Sequence, residues 1–224
     1  MISEDFNAVE HKDHIVQWIR DWFEENGKDC WAVIGISGGK DSTVAAALCV
    51  EALGRERVFG VLMPCGNQSD IDASYKLCGY LNIAHREIDI FPMAEDFGNS
   101  LARNGLYPTE QAEINLLPRI RMTTLYAVAA TIGGRVCNTG NASAAFVGYT
   151  TKYGDLAGDF ALLKNFTVSE IFEIGDYLGL PYDLVHKTPS DGMSGKSDEE
   201  NFAYFSSLFF SNSFLISSII ANLL

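Results

Sequence analysis

The chain has 224 residues, of which 47% are apolar and 20% charged, and its formal net charge is −13. This composition is typical of a soluble globular protein, and the length suits one α/β domain with a substantial core. The acidic excess argues against a nucleic-acid platform, because phosphate backbones require a basic surface. The acidic N-terminus lacks the apolar core of a signal peptide. The five cysteines form no C-x-x-C pair, so they predict buried thiols in a cytoplasmic protein rather than a zinc or redox site.

The N-terminal part of the chain alternates between helical and strand patterns. Apolar residues at helical spacing predict a helix from Phe6 to Glu25, which Gly27 ends. The continuous apolar run from Trp31 to Ile36 is typical of a strand that is buried on both faces. An alanine- and leucine-rich helix from Thr43 to Leu53 follows, and Val58 to Met63 predicts a second buried strand.

The alternation continues through the middle of the chain. Residues Ser69 to Leu81 predict a helix, and Ala84 to Ile90 predict a third strand. A looser stretch extends through Pro108. A long helix is then expected from Gln111 to Ile132, with a kink or a restart at Pro118.

The next elements complete the fold prediction. Arg135 to Asn138 predicts a fourth strand, and Thr167 with Glu170 forms a capping-box signature for a helix that ends at Gly179. No internal repeat is visible. Strands that alternate with helices predict an α/β fold with a doubly wound, mostly parallel sheet.

The last residues differ sharply in composition from the rest. From Asn201 to Leu224 there is no Asp, Glu, Lys or Arg. We therefore expect one domain over residues 1–202 and an atypical uncharged tail over 203–224. Serines interrupt its apolar runs and no basic residue flanks it, which favours a buried or misplaced segment over a membrane anchor. The abrupt change suggests a truncation or a shifted reading frame.

A glycine-rich turn, Ser37-Gly38-Gly39-Lys40-Asp41-Ser42, lies between the first predicted strand and its helix. Two glycines let the backbone approach a phosphate, and successive N–H groups with the helix N-terminus then present positive partial charge to it. The serine hydroxyls add donors and Lys40 adds charge. Asp41 is out of place beside phosphates unless it binds a divalent cation, for which Mg²⁺ is the natural choice.

Two better-known phosphate motifs do not fit this turn. A Walker A loop requires G-x-x-x-x-G-K-[ST], whereas Gly35 and Gly39 are one residue too close and Asp41 replaces the Ser or Thr. A dinucleotide G-x-G-x-x-G is absent as well. A plain strand-to-helix turn is the other alternative, and six consecutive pattern residues in this context argue against it. The turn therefore predicts a phosphate-binding loop at the start of a helix.

The SGGKDS turn resembles that of the PP-loop ATP pyrophosphatases, which implies an adenine nucleotide alpha-hydrolase-like fold. Four further stretches resemble ammonia-dependent NAD⁺ synthetases, and the resemblance covers about residues 10–202. These stretches are Arg119-Ile120-Arg121-Met122, Asn138-Thr139-Gly140-Asn141, Thr151-Lys152-Tyr153-Gly154-Asp155 leading to Asp159, and Lys187-Thr188-Pro189-Ser190-Asp191-Gly192.

The resemblance implies a reaction and a set of partners. ATP would adenylate the nicotinate carboxylate of deamido-NAD⁺ and release pyrophosphate, and ammonia would then displace AMP to give NAD⁺. Free ammonia is the implied nitrogen donor because no glutamine-hydrolysing domain fits in this length. Members of the family are homodimers, and the helix from Gln111 to Ile132 is a plausible interface element. No nucleic-acid or membrane partner is expected.

The resemblance also assigns roles to residues. Asp41 would bind Mg²⁺, and the catalytic set would be Asp41, Lys152 and Asp159. Deamido-NAD⁺ would contact Arg119, Lys152 and Asp159, the last near the nicotinate end. ATP would contact Gly35, Ile36, Ser37, Gly38, Gly39, Lys40, Asp41, Ser42, Thr139 and Ser190.

One departure from the family bears directly on the metal site. The family carries a Glu as a Mg²⁺ ligand where this chain has Ala144, and a methyl group cannot bind a hard cation. We therefore keep two alternatives open: an impaired or non-catalytic nucleotide-binding paralogue, and another PP-loop ligase. Outside this context, Arg119 and Arg121 could be solvated helix charges, and Lys152 with Asp155 could be a surface ion pair.

Overall fold

The computed structural model describes residues 6–146, 148 and 150–187. Its regular elements alternate along the chain, as the sequence predicts. The five strands are β1 (Trp31–Gly35), β2 (Val58–Leu62), β3 (Ala84–Glu87), β4 (Gly134–Asn138) and β5 (Phe160–Ala161). The helices are α1 (Ala8–Asn26), α2 (Lys40–Leu53), α3 (Ile71–Leu81), α4 (Phe91–Arg103), α5 (Glu110–Ile132), α6 (Ala142–Phe146), α7 (Val168–Tyr177) and α8 (Tyr182–Val185).

The strands form one sheet in the order β3-β2-β1-β4-β5, and all four neighbouring pairs are parallel. The predicted α/β fold with a doubly wound parallel sheet is therefore confirmed. Strand order reverses beside β1, since β2 lies on one side of it and β4 on the other. In open parallel sheets, a crevice for ligands forms at such a reversal, outside the carboxyl ends of the strands.

Apolar cores lie on both faces of the sheet. Alternate residues of β1 point to opposite faces, so Ile34 joins the larger core with α1, α2, α3 and α7. Val33 joins the smaller core, which α5 covers through Leu125 and Ala129. The central strands β1 and β4 contribute side chains that are fully buried, namely Val33, Ile34 and Val136. Burial on both faces explains why the strands are continuous apolar runs.

Several element boundaries follow the predicted signals. Asn7 caps α1 and Gly27 ends it, with its N–H donating to the Phe23 carbonyl. Thr167 and Glu170 form the predicted capping box of α7. Pro118 lies inside α5, which continues through it as one helix, so the restart considered at Pro118 is not seen.

Other elements were not predicted. Helix α4 occupies the stretch that was expected to be loose, and α6, α8 and the two-residue strand β5 were missed. Strand β3 ends at Glu87 rather than Ile90, and α7 ends at Tyr177 rather than Gly179. The predicted boundary near residue 202 and the tail 203–224 lie outside the described residues. Within the described part of the chain, no helix is long and apolar enough to cross a membrane.

Candidate active site

The phosphate loop, residues 36–42, joins β1 to α2 and is held by its own hydrogen bonds. The Ser37 N–H donates to Ser42 Oγ at 3.3 Å, and Ser42 Oγ donates to the Gly39 carbonyl at 3.1 Å. The Thr43 hydroxyl donates to the same carbonyl at 2.8 Å. These short-range bonds fix the turn, so its backbone N–H groups keep one arrangement before any ligand binds.

Gly38 is required at the tip of the phosphate loop for two reasons. Its φ of +73° lies in the left-handed region, which L side chains rarely adopt. A Cβ atom there would also lie 2.8 Å from the Ala73 Cβ and 2.9 Å from the Ser74 backbone nitrogen. The loop therefore packs directly against the start of α3. Position 38 needs glycine for this packing as well as for phosphate binding.

A cavity of about 340 Å³ opens at the strand-order reversal, between the loops that follow β1 and β4. The phosphate loop forms one wall, and the turn at residues 138–141 after β4 forms another. Helix α5 closes a third side with Pro118, Arg121 and Leu125. The predicted ATP-site residues on its wall are Gly35, Ile36, Ser37, Gly39, Lys40, Asp41, Ser42 and Thr139. Ser190 lies outside the described residues.

Asp41 is held at the edge of this cavity by two nitrogen donors. Its Oδ1 accepts a 3.2 Å hydrogen bond from Asn141 Nδ2, and its Oδ2 lies 3.4 Å from Lys40 Nζ. The Asp41 side chain is 27% exposed. The carboxylate is therefore fixed in direction, yet it still reaches the cavity.

Ala144, where the resemblance implies a Glu, lies on the wall of the same cavity as Asp41. Among the described residues, no group of three or more His, Cys, Asp or Glu is arranged to hold a metal ion. Mg²⁺ is commonly held by one or two carboxylates together with substrate phosphates and waters. Asp41 beside a phosphate loop fits that coordination.

Arg121 is the arginine of the R-x-R-M stretch that enters the cavity. Its Nε donates to the Met63 carbonyl at the end of β2, at 3.3 Å. Arg119, which the sequence favoured, is exposed, and its Nε donates to the Lys152 carbonyl at 3.1 Å. Arg119 and Lys152 line neither this cavity nor the second one described below. The sequence offered no signal to separate the two arginines, since both lie on one predicted helix.

Lys187 and Asp70 form an ion pair on the cavity wall, with Nζ 2.5 Å from Oδ2. Burial by itself raises the pKa of Asp70, but the hydrogen bonds from Lys187 and Gln68 outweigh it and leave that pKa below its ordinary value. The pair ties the loop after β2 to the chain after α8. It adds to the cavity wall a cation from the stretch that begins at Lys187, to which the sequence gave no individual role.

The T-K-Y-G-D loop, residues 151–155, is held by residues distant in sequence in addition to its own turn bonds, such as the 2.9 Å bond from the Gly154 N–H to the Thr151 carbonyl. The Thr151 hydroxyl donates to Asn115 Oδ1 on α5 at 2.8 Å. A Cβ on Gly154 would lie 2.8 Å from the Pro118 Cβ, so this loop packs closely on α5. Tyr153 adopts a left-handed φ of +64°, and Lys152 Nζ lies over its ring at 4.9 Å from the centroid. The loop is thus a strained turn clamped to α5.

Asp155 has a structural contact within the loop. Its Oδ2 accepts from the Thr151 N–H at 3.1 Å. The surface ion pair of Lys152 with Asp155, considered as an alternative, is not among the contacts of the described residues. Lys152 instead lies over the Tyr153 ring.

Asn138 joins the end of β4 to this loop. Its buried side-chain amide donates to the carbonyls of Asp155 and Ala157 at 2.6 and 2.7 Å, and its Oδ1 accepts from the Gly140 N–H at 2.8 Å. Gly158 packs against it, since a Cβ there would lie 2.7 Å from the Asn138 Cβ. One asparagine therefore sets the turn at 138–141 and the T-K-Y-G-D loop relative to each other.

A second cavity, of about 410 Å³, lies across the turn at 138–141 from the first. The two cavities share the wall residues Asn138, Gly140, Asn141 and Thr150. Aromatic side chains line the second cavity, together with Asp159 and Lys164; the aromatic residues are Trp18, Trp22 and Phe160. Asp159 Oδ2 accepts from the Val136 N–H at 2.7 Å, which fixes that carboxylate against the middle of β4.

Comparison with known proteins identifies relatives of this chain. A family model described as NAD synthase matches residues 11–208. The NH₃-dependent NAD⁺ synthetase of Methanococcus aeolicus is 40% identical over 184 residues, which are 79% of this chain and 70% of that protein. The protein of the same name from Carboxydothermus hydrogenoformans is 33% identical over 201 residues, covering 88% of this chain and 82% of its own.

Solved structures agree with the sequence relatives. The NH₃-dependent NAD synthetase from Campylobacter jejuni, in complex with nitrate, aligns with a TM-score of 0.75 at 28% identity and covers 97% of this chain and 93% of its own. The NMN synthetase of Francisella tularensis aligns with a TM-score of 0.79 at 32% identity, covering 93% and 88%. With the family model, the relatives and the fold in agreement, the chain belongs to the NAD synthase family.

Proposed function

We propose that this chain is an ammonia-dependent NAD⁺ synthetase, which converts the nicotinate carboxylate of deamido-NAD⁺ to an amide at the expense of ATP. The observation that carries this proposal is the pair of cavities that share the turn at 138–141. One cavity has a phosphate loop and the other has aromatic walls. Two substrates placed in them would meet at the shared wall, where an adenylate can form.

ATP would bind in the cavity of the phosphate loop. The N–H groups of that loop and the N-terminus of α2 favour its phosphates electrostatically, and Arg121 and Lys40 add positive charge on the wall. Asp41 would hold Mg²⁺ together with phosphate oxygens, and Mg²⁺ would neutralise charge on the leaving pyrophosphate. Thr139, on the opposite wall, is suitably placed to contact the nucleotide.

The nicotinate end of deamido-NAD⁺ would occupy the second cavity. A flat pyridine ring stacks favourably on aromatic side chains, and Trp18, Trp22 and Phe160 supply them. Asp159 suits the positive charge of a pyridinium ring, because it is a carboxylate fixed by a backbone N–H. The carboxylate of the ring would then point to the shared wall.

The chemistry requires two displacements. A carboxylate oxygen attacks the α-phosphorus of ATP, and the bond to pyrophosphate breaks, which leaves a mixed anhydride. Ammonia then attacks the carbonyl carbon, AMP leaves with the bonding electrons, and the nitrogen loses a proton to give the amide. Positioning and charge neutralisation are the protein's main contributions to such steps.

Arg119 and Lys152 lie outside both cavities, on one exposed surface beside the strained T-K-Y-G-D loop. We place the remaining part of deamido-NAD⁺ along this surface.

We also propose that the chain forms a homodimer. Helix α4 leaves Phe91, Met93 and Phe97 between 41% and 50% exposed, beside α5, and such an apolar face suits contact with a second copy. Sedimentation of the purified protein tests this.

We place the reaction in the cytoplasm, since all five cysteines are free thiols, as expected under reducing conditions. We propose that residues 1–202 form a single catalytic domain.

The similarity to the Francisella tularensis enzyme named NMN synthetase supports a second candidate substrate. That substrate is nicotinate mononucleotide, which carries the same carboxylate on a single nucleotide.

One experiment separates these candidates. Purified protein is incubated with ATP, Mg²⁺ and ammonium, and with either deamido-NAD⁺ or nicotinate mononucleotide, while NAD⁺ or NMN and AMP are quantified together. We expect equimolar NAD⁺ and AMP, with a kcat/KM for deamido-NAD⁺ that exceeds that for the mononucleotide about tenfold or more, because the second nucleotide adds binding contacts. ATP binding without AMP release would contradict the proposal and support the non-catalytic paralogue.

A further inference from the structure

The side chain of Asn141 links the phosphate loop to α6. Its Nδ2 donates to Asp41 Oδ1 at 3.2 Å, and its Oδ1 accepts from the Ala144 N–H at 2.9 Å. Only 7% of the residue is exposed. A buried amide of this kind is expected to have its hydrogen bonds satisfied, and both ends are satisfied here.

The contact with Ala144 determines which way the amide faces. A backbone N–H can only donate, so the Asn141 atom that it meets must be the oxygen. The NH₂ group is then left to face Asp41, whose carboxylate can only accept. Turning the amide over would place two donors together at Ala144 and two acceptors together at Asp41. The direction of the donor is therefore fixed by α6.

Asp41 depends on this donor because few other groups restrain it. A carboxylate has about four lone-pair sites, and the bond from Asn141 uses one site on Oδ1. The other oxygen has Lys40 Nζ 3.4 Å away. The remaining sites can face the cavity. Ala144, on the same wall, offers only a methyl group, so the direction of the Asp41 carboxylate matters more here than in a site with two acidic ligands.

We infer that Asn141 is a positioning residue, which holds the Asp41 carboxylate in the direction needed to bind a divalent cation with ATP. It acts on the metal through Asp41, from the wall that the two cavities share. The inference rests on the proposed function for the identity of the ligand, but the binding experiment below does not require turnover.

The test uses Asn141→Ser, which keeps an oxygen that can cap α6 but removes the donor to Asp41. Binding of ATP with Mn²⁺ is measured by calorimetry, and binding of ATP alone in EDTA is the control. We expect the Kd for ATP with Mn²⁺ to rise about tenfold, at the lower end of losses from partners of metal ligands. The Kd in EDTA should remain within about twofold, and the thermal midpoint should stay near that of the wild type.

A double-mutant cycle with Asp41→Asn separates positioning from general damage. If Asn141 acts through Asp41, Asn141→Ser should have no further effect on Mn²⁺-dependent binding once Asp41 is replaced. An unchanged Kd with Mn²⁺ in the single variant, or an equal loss in EDTA, overturns the inference even if the wild type makes NAD⁺. If Asn141→Ser weakens Mn²⁺-dependent ATP binding but the wild type makes no NAD⁺, the inference is supported and the proposed function is contradicted instead.

Discussion

The phosphate loop and the T-K-Y-G-D loop both border the shared wall of the two cavities, but they are held in different ways. Most of the bonds that shape the phosphate loop join residues no more than five positions apart. The T-K-Y-G-D loop depends on Asn115, Arg119 and Asn138, which are distant in sequence. A local turn can therefore be predicted from its own residues, whereas a clamped turn needs the tertiary structure.

The difference has a consequence for substitutions. A change in the phosphate loop should affect ATP and its metal, and a change at a remote anchor of the T-K-Y-G-D loop should affect deamido-NAD⁺. Gly38 and Asp41 are exceptions to local control, because Gly38 packs against Ala73 of α3 and Asp41 accepts a hydrogen bond from the distant Asn141.

The largest effect is expected for Asp41→Asn. The amide keeps the size of the side chain but loses the charge that binds Mg²⁺, so kcat should fall about 100-fold, or close to 3 kcal/mol of transition-state stabilisation. The measurement is NAD⁺ formation at saturating ATP over a range of Mg²⁺ concentrations. Because Asp41 is 27% exposed at the cavity edge, the thermal midpoint should stay near that of the wild type.

Full activity of Asp41→Asn with an unchanged Mg²⁺ dependence would contradict the role of Asp41 as metal ligand. Such a result would also contradict the proposed division of roles between the two loops, since the phosphate loop would then not bind the metal. Loss of activity with a collapsed thermal midpoint would instead assign Asp41 a structural role.

A smaller effect is expected for Thr151→Val, which tests the remote anchoring of the T-K-Y-G-D loop. Valine has nearly the shape of threonine but cannot donate to Asn115 Oδ1, which is left without this donor. We expect the KM for deamido-NAD⁺ to rise about tenfold, equivalent to roughly 1.4 kcal/mol, while the KM for ATP changes little. Initial rates with each substrate varied in turn measure both constants.

Thr151→Ser is the matched control, because serine keeps the hydroxyl donor. It should retain a wild-type KM for deamido-NAD⁺. If serine and valine raise this KM equally, the methyl group and not the hydrogen bond matters at position 151. If valine instead raises the KM for ATP, the division of roles between the two loops is wrong.

The difference between locally held and remotely held segments also explains which features could be predicted from the sequence. The buried strands and the phosphate loop were predictable because burial on both faces and a local glycine turn leave direct signals. Helix α4 was missed because, in the structure described, none of its residues is buried, so its apolar face lacks a recognisable core partner. Asn115 leaves no pattern in the sequence. Asn138 and Asn141 belong to the N-T-G-N stretch that carries part of the resemblance, but the partners of their side chains could not be predicted from it.

The sequence could not separate the two arginines of R-x-R-M for a related reason. Arg119 and Arg121 are two positions apart on α5, so they face different directions, but a sequence does not fix the rotation of a helix against its sheet. In the structure Arg121 reaches the phosphate cavity and Arg119 meets the T-K-Y-G-D loop. Arg121 thus belongs to the cavity of the phosphate loop, and Arg119 belongs to the surroundings of the T-K-Y-G-D loop.

The smallest effect is expected for Ala144→Glu, which adds to the phosphate cavity a carboxylate that the family carries at this position. Ala144 lies on the cavity wall with Asp41, and its N–H is already bound by Asn141, so the backbone of α6 should not need to move. A second, partly solvated carboxylate should tighten Mg²⁺ binding roughly fivefold, or about 1 kcal/mol, because exposed charge pairs contribute no more than this. The Mg²⁺ concentration for half-maximal NAD⁺ formation measures the gain, with Ala144→Gln as the uncharged control. An equal gain in both variants would attribute it to size, and no gain in either would mean that the Asp41 carboxylate, positioned by Asn141, already suffices for the metal.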